Sequence, residues 1–263
     1  MNNIVANFDQ TLTLGQDYGS AVNKTRGVLR EYLQSSFISR LYALPKSEKL
    51  SFVGGTSLRL LRGLNRFSED LDFDNLGLSD EKVVELISEV TASFHRENVT
   101  IELLHHKKEF RTYFEIRFPS LLQDLHISKD PKEKVMIKID YANFWQGQKT
   151  ETILFSRFGF IEQVVTNTMN NLMVQKIAAY VQRKETQPRD LYDIVWLFGQ
   201  NARFDYEFAK QNDLADIIQR AQTKFEKEGV TQYMKNKLRP FLFQEETVGK
   251  IGLLGNVLAE LTK

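Results

Sequence analysis

Gly54-Gly55-Thr56-Ser57-Leu58-Arg59, followed by Arg66-Phe67-Ser68-Glu69-Asp70-Leu71-Asp72-Phe73, is the stretch around which the chain is organised. Phe52 and Val53 lead into it as the end of a short apolar strand. Two successive glycines make a turn in which the backbone can approach a ligand, because neither carries a Cβ. Thr56 or Ser57 is placed to cap a following helix, in which Leu58, Leu60 and Leu61 are apolar. A glycine turn that opens a helix offers backbone N–H groups to an anion such as phosphate. Along an extended strand side chains alternate, so Asp70 and Asp72 share one face while Leu71 and Phe73 share the other. Two carboxylates so close repel unless a cation lies between them, and an oxygen-rich site of this kind suits Mg²⁺ or Mn²⁺. Either half alone is commonplace, as a plain turn or a solvated strand face. The two together at this spacing are much more specific.

The chain has 263 residues, enough for one large domain or two modest ones. Hydrophobic residues make up 42% and charged residues 26%, an ordinary globular composition. The net charge of +1, from 35 basic and 34 acidic side chains, does not announce a nucleic-acid binder, so any basic patch is local. The absence of cysteine excludes disulfides and thiolate metal sites and is compatible with a reducing cytoplasm. The first residues lack the basic and then apolar order of a signal peptide. No apolar segment approaches the roughly 18 residues of a membrane span. The expectation is a cytoplasmic protein with no membrane partner.

Upstream, Val22, Leu29, Leu33 and Phe37 predict a helix over 21–40, and Pro45 closes that segment. Residues 1–20 show only scattered apolar positions. Downstream, Asp74, Asn75 and Gly77 read as a turn, with Asp74 a turn residue in preference to a further metal ligand. Ser79 or Asp80 caps a helix with the stripe Val83, Val84, Leu86, Ile87 and Val90. Strand-like runs follow at 99–104, 110–118 and 135–141, with His105-His106-Lys107-Lys108 as a basic hairpin tip. In the third run Lys138 and Asp140 face opposite Ile137, Ile139 and Tyr141. An unpaired buried carboxylate is costly. Asp140 therefore either pairs with Lys138 or an arginine, or shares a metal with the other aspartates.

One last extended stretch, 153–160, precedes a run of helices. The first carries Leu172, Met173, Lys176, Ile177 and Ala178, and Pro188 opens the next at its permitted first position. Asp190 lies in that helix's first turn, where the dipole favours a negative charge, and Asp193 on a neighbouring face. A terminal helix is expected over 248–261. The cluster Lys235, Lys237 and Arg239 reads as a solvated face in preference to an RNA contact.

The Gly-Gly turn followed by Asp-x-Asp resembles the signature of polymerase-β-like nucleotidyltransferases. The longer pattern, G-G-T-S-L-R through R-F-S-E-D-L-D-F, is similar to the AbiEii toxin family of that superfamily, the toxin half of toxin–antitoxin and phage-abortive-infection pairs. The resemblance spans roughly residues 52–198. It implies an α/β (α+β) fold: a nucleotidyltransferase domain with a mixed sheet over 1–165, then a helical domain over 166–263 that contributes Lys176 and Asp190 to a cleft. It implies a third metal-binding aspartate on a later strand, at the place of Asp140. Asp70, Asp72 and Asp140 would then hold Mg²⁺ or Mn²⁺. The turn Gly54-Gly55-Thr56 would receive the phosphates of a nucleoside triphosphate, GTP or another. Arg59 and Arg66 are candidates for further phosphate contact, with an ion pair to Glu69 or another acid as an equal alternative. In the family, a lysine helix and an Arg-Asp-x-x-Asp helix belong to the active site; here these are Lys176 and Arg189, Asp190 and Asp193. Of the two aspartates, Asp190 is favoured. The implied acceptor is the 3′ end of tRNA, with a protein hydroxyl as alternative, or a non-catalytic nucleotide- or partner-binding module. A winged-helix antitoxin repressor is the implied partner.

Overall fold

The computed structural model describes residues 3–20, 24–108 and 111–262; Ala21, Val22 and Phe110, assigned above to a helix and a strand, lie outside them. The chain packs as two compact units. The first comprises Met1–Gly63, Phe67–Asn143 and Thr152–Thr166, and the second Leu64–Arg66, Phe144–Glu151 and Asn167–Lys263.

In the first unit the helices are α1 (Asn3–Ala6), α2 (Phe8–Asp17), α3 (Thr25–Tyr42), α4 (Gly54–Arg62), α5 (Asp80–Arg96) and α6 (Leu121–Asp124). The strands are β1 (Leu50–Val53), β2 (Asp70–Asn75), β3 (Glu102–Lys108), β4 (Arg111–Phe118) and β5 (Val135–Ala142), with β6 (Thr150–Arg157) and β7 (Phe160–Asn167) forming a separate hairpin. The five-stranded sheet runs β1-β2-β5-β4-β3. It is mixed: β2 and β5 are parallel, and every other pair is antiparallel. One face is apolar. Leu71 and Phe73 of β2, Ile137 and Ile139 of β5, and Phe114 and Ile116 of β4 pack with Leu33, Phe37 and Leu41 of α3 and Val83, Leu86 and Val90 of α5. The amphipathic stripe of α5 drives this burial, at roughly 1.5–3 kcal/mol per large side chain removed from water. Ser79 caps α5, its hydroxyl oxygen accepting from Lys82 N at 3.3 Å.

Several local expectations shift. His105 to Lys108 lie within β3 and not at a hairpin tip, because the imidazoles stack on β4: His105 on Phe114 at 4.5 Å and His106 on Tyr113 at 4.6 Å. Asp74 is a buried strand residue paired with Ser51 and Ala142. The turn is made by Asn75, whose Oδ1 accepts from Gly77 N at 3.2 Å and Leu78 N at 2.8 Å. The stretch at 153–160 belongs to the β6–β7 hairpin, reversed by Phe158 (φ 51°) and Gly159 (φ 81°), a turn with both central residues left-handed. Residues 8–17 are helical although their apolar positions are sparse; Phe8 joins the core, and Gly15 lies against Val28 so closely that a Cβ would sit 2.6 Å from its Cγ1.

The second unit is helical: α7 (Met169–Gln182), α8 (Pro188–Gly199), α9 (Tyr206–Gln211), α10 (Ile217–Glu228), α11 (Gln232–Leu238) and α12 (Leu254–Glu260). The expected terminal helix divides, with 3₁₀ turns over Glu245–Leu253 before α12. Among the described residues no helix is long and apolar enough to cross a membrane.

Candidate active site

The polar face of the five-stranded sheet carries the motif carboxylates. Register places Val53, Asp72, Asp140, Tyr113 and His106 in one row across all five strands. The next row brings Asp70 beside Lys138, and Lys138 beside Glu115. Side chains paired in register stand on the same face. Asp72 and Asp140 are therefore lateral neighbours, and Asp70 lies two residues along the same strand face. All three are only partly covered, whereas Leu71, Phe73 and Ile139 between them are buried.

Helix α4 begins directly after β1, so its first residue stands at the level of Asp72. Gly54 has φ +77°, and a Cβ there would fall on the Asp72 carboxylate, with Asp72 Cβ and Cγ each at 2.9 Å. The glycine thus serves two purposes, a left-handed backbone and room for the carboxylate. This contact joins the two halves of the motif. Thr56 and Ser57 do not cap the helix. The Thr56 hydroxyl donates to the Asp70 carbonyl at 2.5 Å and the Ser57 hydroxyl to the Gly54 carbonyl at 3.0 Å. The cap position is Val53, whose apolar side chain offers no capping oxygen to the first turn of α4. A helix start without a side-chain cap from its own N-cap residue is suited to an anion. The Thr56 side chain is buried and already donates its proton, so any contribution of Thr56 to an anion is through its backbone.

Arg59 and Arg66 are buried ion-pair members. Arg59 Nε lies 2.6 Å from Glu31 Oε1, and its Nη2 donates to the Tyr18 carbonyl at 3.0 Å and Ser20 Oγ at 2.8 Å. The side chains are 2% and 1% exposed, so Arg59 anchors α4 on α3 through a buried ion pair, the alternative to phosphate contact. Arg66 likewise takes the ion-pair alternative, with Asp193 as its acid. It forms a fork on Asp193, Nε to Oδ1 at 2.7 Å and Nη2 to Oδ2 at 2.6 Å. Glu69 pairs instead with Arg30, at 3.0 Å.

In the second unit Lys176 of α7 joins the same cluster. Its Nζ lies 2.8 Å from Asp193 Oδ2 and 3.4 Å from Asp190 Oδ1, and Arg183 Nη1 reaches Asp190 Oδ2 at 3.0 Å. Burial pushes the Asp193 carboxyl upward, but Arg66 and Lys176 outweigh it and hold its pKa below 3.8. Burial pulls the Lys176 ammonium down, and Asp193 and Asp190 more than reverse that, leaving it above 10.5. Asp193, between both cations, is the centre of the cluster; Asp190 is at its edge.

The donor set on the sheet suits a hard divalent cation in kind, being all carboxylate, and in its placement on one face. Among the described residues, however, no three carboxylate or imidazole side chains are gathered closely enough to hold a metal. Asp140 is engaged by a cation of the chain itself: Lys138 Nζ lies 2.6 Å from its Oδ2.

A family model described as "Nucleotidyl transferase AbiEii toxin, Type IV TA system" matches residues 36–250. The chain belongs to the AbiEii nucleotidyltransferase toxin family. Among solved structures, the chain is similar to a Helicobacter pylori protein described as a "putative nucleotidyltransferase", at 20% identity and TM-score 0.50, over 89% of this chain and 95% of the other. JHP933 from Helicobacter pylori aligns at 18% identity and TM-score 0.48, over 90% and 93% of the two chains. A search of curated proteins gave no match. In this AbiEii-family chain, two contributors have no signal in the sequence. Glu31 lies mid-helix in α3, and its pairing with Arg59 has no local signal. Tyr113 stands beside Asp140 only through the β4–β5 register. Lys138 was visible as a pairing alternative for Asp140, through the i, i+2 spacing on one strand face.

Proposed function

We propose that the protein transfers a nucleoside monophosphate from a nucleoside triphosphate, GTP or another, to an acceptor hydroxyl, most fittingly at the 3′ end of tRNA. The observation that carries this reading is the contact of Gly54 with Asp72 in a row that continues to Asp140. It joins an anion-suited helix start to a pair of lateral carboxylates.

In the reaction the acceptor oxygen attacks the α-phosphorus, the bond from that phosphorus to the α–β bridging oxygen breaks, pyrophosphate leaves, and the hydroxyl proton passes to solvent or a neighbouring base. Catalysis is mostly positioning and charge neutralisation. The N–H groups of Gly54, Gly55 and Thr56 at the start of α4 would receive the leaving phosphates. Asp70, Asp72 and Asp140 would hold Mg²⁺ or Mn²⁺. When bound, the ion would lower the pKa of the acceptor hydroxyl and offset charge on the phosphates. Lys176 and Asp190 are carried into the active site by the family resemblance, Lys176 as a point positive charge. The family also implies an antitoxin partner, which we take to be a winged-helix repressor encoded alongside, and a cytoplasmic setting.

The test combines purified protein, Mg²⁺, each α-labelled nucleoside triphosphate and total tRNA, with an Asp70→Ala/Asp72→Ala control. Label on tRNA that the control loses supports the reading and identifies the nucleotide. Label on protein moves the acceptor to a protein hydroxyl. A triphosphate that binds without transfer to either acceptor refutes the catalytic roles.

A further inference from the structure

We propose that Lys138 is a built-in counter-cation, standing in the metal's place on the carboxylate face, so that a divalent ion binds only by displacing it. The inference rests on the reading of Asp70, Asp72 and Asp140 as the metal-holding set.

Lys138 lies on β5 two residues before Asp140 and shares its face. Its ammonium touches Asp140 Oδ2 at 2.6 Å, with the two side chains only 19% and 16% exposed. In register it stands between Asp70 of β2 and Glu115 of β4. Asp72 is the lateral neighbour of Asp140. The ammonium therefore touches one carboxylate and stands in register beside two more, of which Glu115 is also held by Arg117 at 2.5 Å. Like charges so near one another disfavour ionisation unless a cation offsets them. Lys138 supplies such a cation to Asp140 within the chain. The ammonium also has somewhere to go: Nζ lies 4.7 Å from the centroid of the Tyr113 ring, whose face attracts a cation. Tyr113 is the register partner of Asp140, so a lysine that leaves the carboxylate can remain on the ring.

The consequence is that metal binding involves exchange of one cation for another. A neutral side chain of similar length at 138 removes the competitor and leaves all carboxylates in place. The experiment is Mn²⁺ binding to the nucleotide-free full chain, read by calorimetry and by the paramagnetic signal of free Mn²⁺, for wild type, Lys138→Met, Asp140→Asn and Asp72→Asn. Melting temperature with and without Mn²⁺ is measured in parallel. Lys138→Met is expected to bind Mn²⁺ at least tenfold more tightly than wild type. It is also expected to melt lower than wild type without metal and to gain more on adding Mn²⁺, which shows that the variant is folded and that the ammonium was serving the same carboxylates. Equal or weaker Mn²⁺ affinity in Lys138→Met, with Asp140→Asn and Asp72→Asn both weakened, overturns the role of Lys138 and leaves the metal reading standing. Mn²⁺ affinity unaffected by Asp140→Asn and Asp72→Asn overturns the metal reading itself, and the inference with it.

Discussion

Replacing Asp193 by alanine removes the one anion that both Arg66 and Lys176 touch. Asp193 has no exposed side-chain surface, Arg66 has 2% and Lys176 has 12%. After truncation both cations lose their bonds to Asp193, and Lys176 keeps Asp190, 3.4 Å away and shared with Arg183. Breaking a buried pair by removing one partner costs about 3–5 kcal/mol, because the charge left behind has lost both its water and its counter-ion. For a chain of this size 1 kcal/mol corresponds to roughly 2–4 °C, so the melting temperature should fall by about 6–20 °C. The assay is calorimetric and denaturant unfolding of wild type, Asp193→Ala, Arg66→Met and the double variant Asp193→Leu/Arg66→Met. The double variant should recover much of the loss, since an apolar pair needs no partner. Acid gives a second handle. The folded pKa of Asp193 lies below its ordinary 3.8, so its contribution is present above that value and is lost as pH falls through the folded pKa. The stability gap between wild type and Asp193→Ala should hold steady at neutral pH and close as pH falls below about 4. A loss under about 1 kcal/mol, the range of an exposed pair, or a gap that widens in acid, would refute this account of the cluster.

Three further outcomes are expected. Gly54→Ala and Gly63→Ala both place alanine at nearly the same left-handed φ, +77° and +78°, each costing about 1–2 kcal/mol. Only position 54 meets the Asp72 side chain, so a nucleotidyl-transfer assay should fall on the order of 100-fold in Gly54→Ala and stay near wild type in Gly63→Ala. Glu31→Ala should destabilise the first unit by about 3–5 kcal/mol in chemical denaturation, while Glu31→Leu/Arg59→Met loses much less; a reduced triphosphate affinity with unchanged stability in Arg59→Met would return Arg59 to phosphate binding. The Tyr141 hydroxyl, half-buried and donating to Asp80 Oδ1 at 2.9 Å, is pushed up to about 12 by burial and by Asp80. An ultraviolet titration should show several late tyrosines, since burial also raises Tyr32, Tyr42 and Tyr180; Tyr141→Phe should remove the component near 12, and the stability Tyr141 contributes should fade as pH rises from 10 toward 12.

Much of the first unit could be read from local pattern. The period-two alternation of Asp70-Leu71-Asp72-Phe73 and of Lys138-Ile139-Asp140 assigned their faces, since a pleated strand has no other choice. Ser79 and Pro188 announced helix starts through groups that act within one turn. The His105-His106 pair misled because its polarity matched a loop, while stacking on Phe114 and Tyr113 held it in a strand. The helix at 8–17 was invisible for a related reason: its apolar contacts are made with distant parts of the chain and leave little periodicity of their own.

By itself, then, the amino-acid order determined the family, the mixed α/β class and the spacing of glycines and carboxylates, because these depend on turn chemistry and strand period acting over a few residues. The tertiary structure alone decided which charges meet. Arg66 finds Asp193 across 127 residues and Arg59 finds Glu31 across 28. Gly54 needs its missing side chain because of Asp72, and the two meet only once β1 and β2 lie side by side in register. Ion pairing and close packing depend on distance in space, and a sequence carries that distance only after the chain has folded.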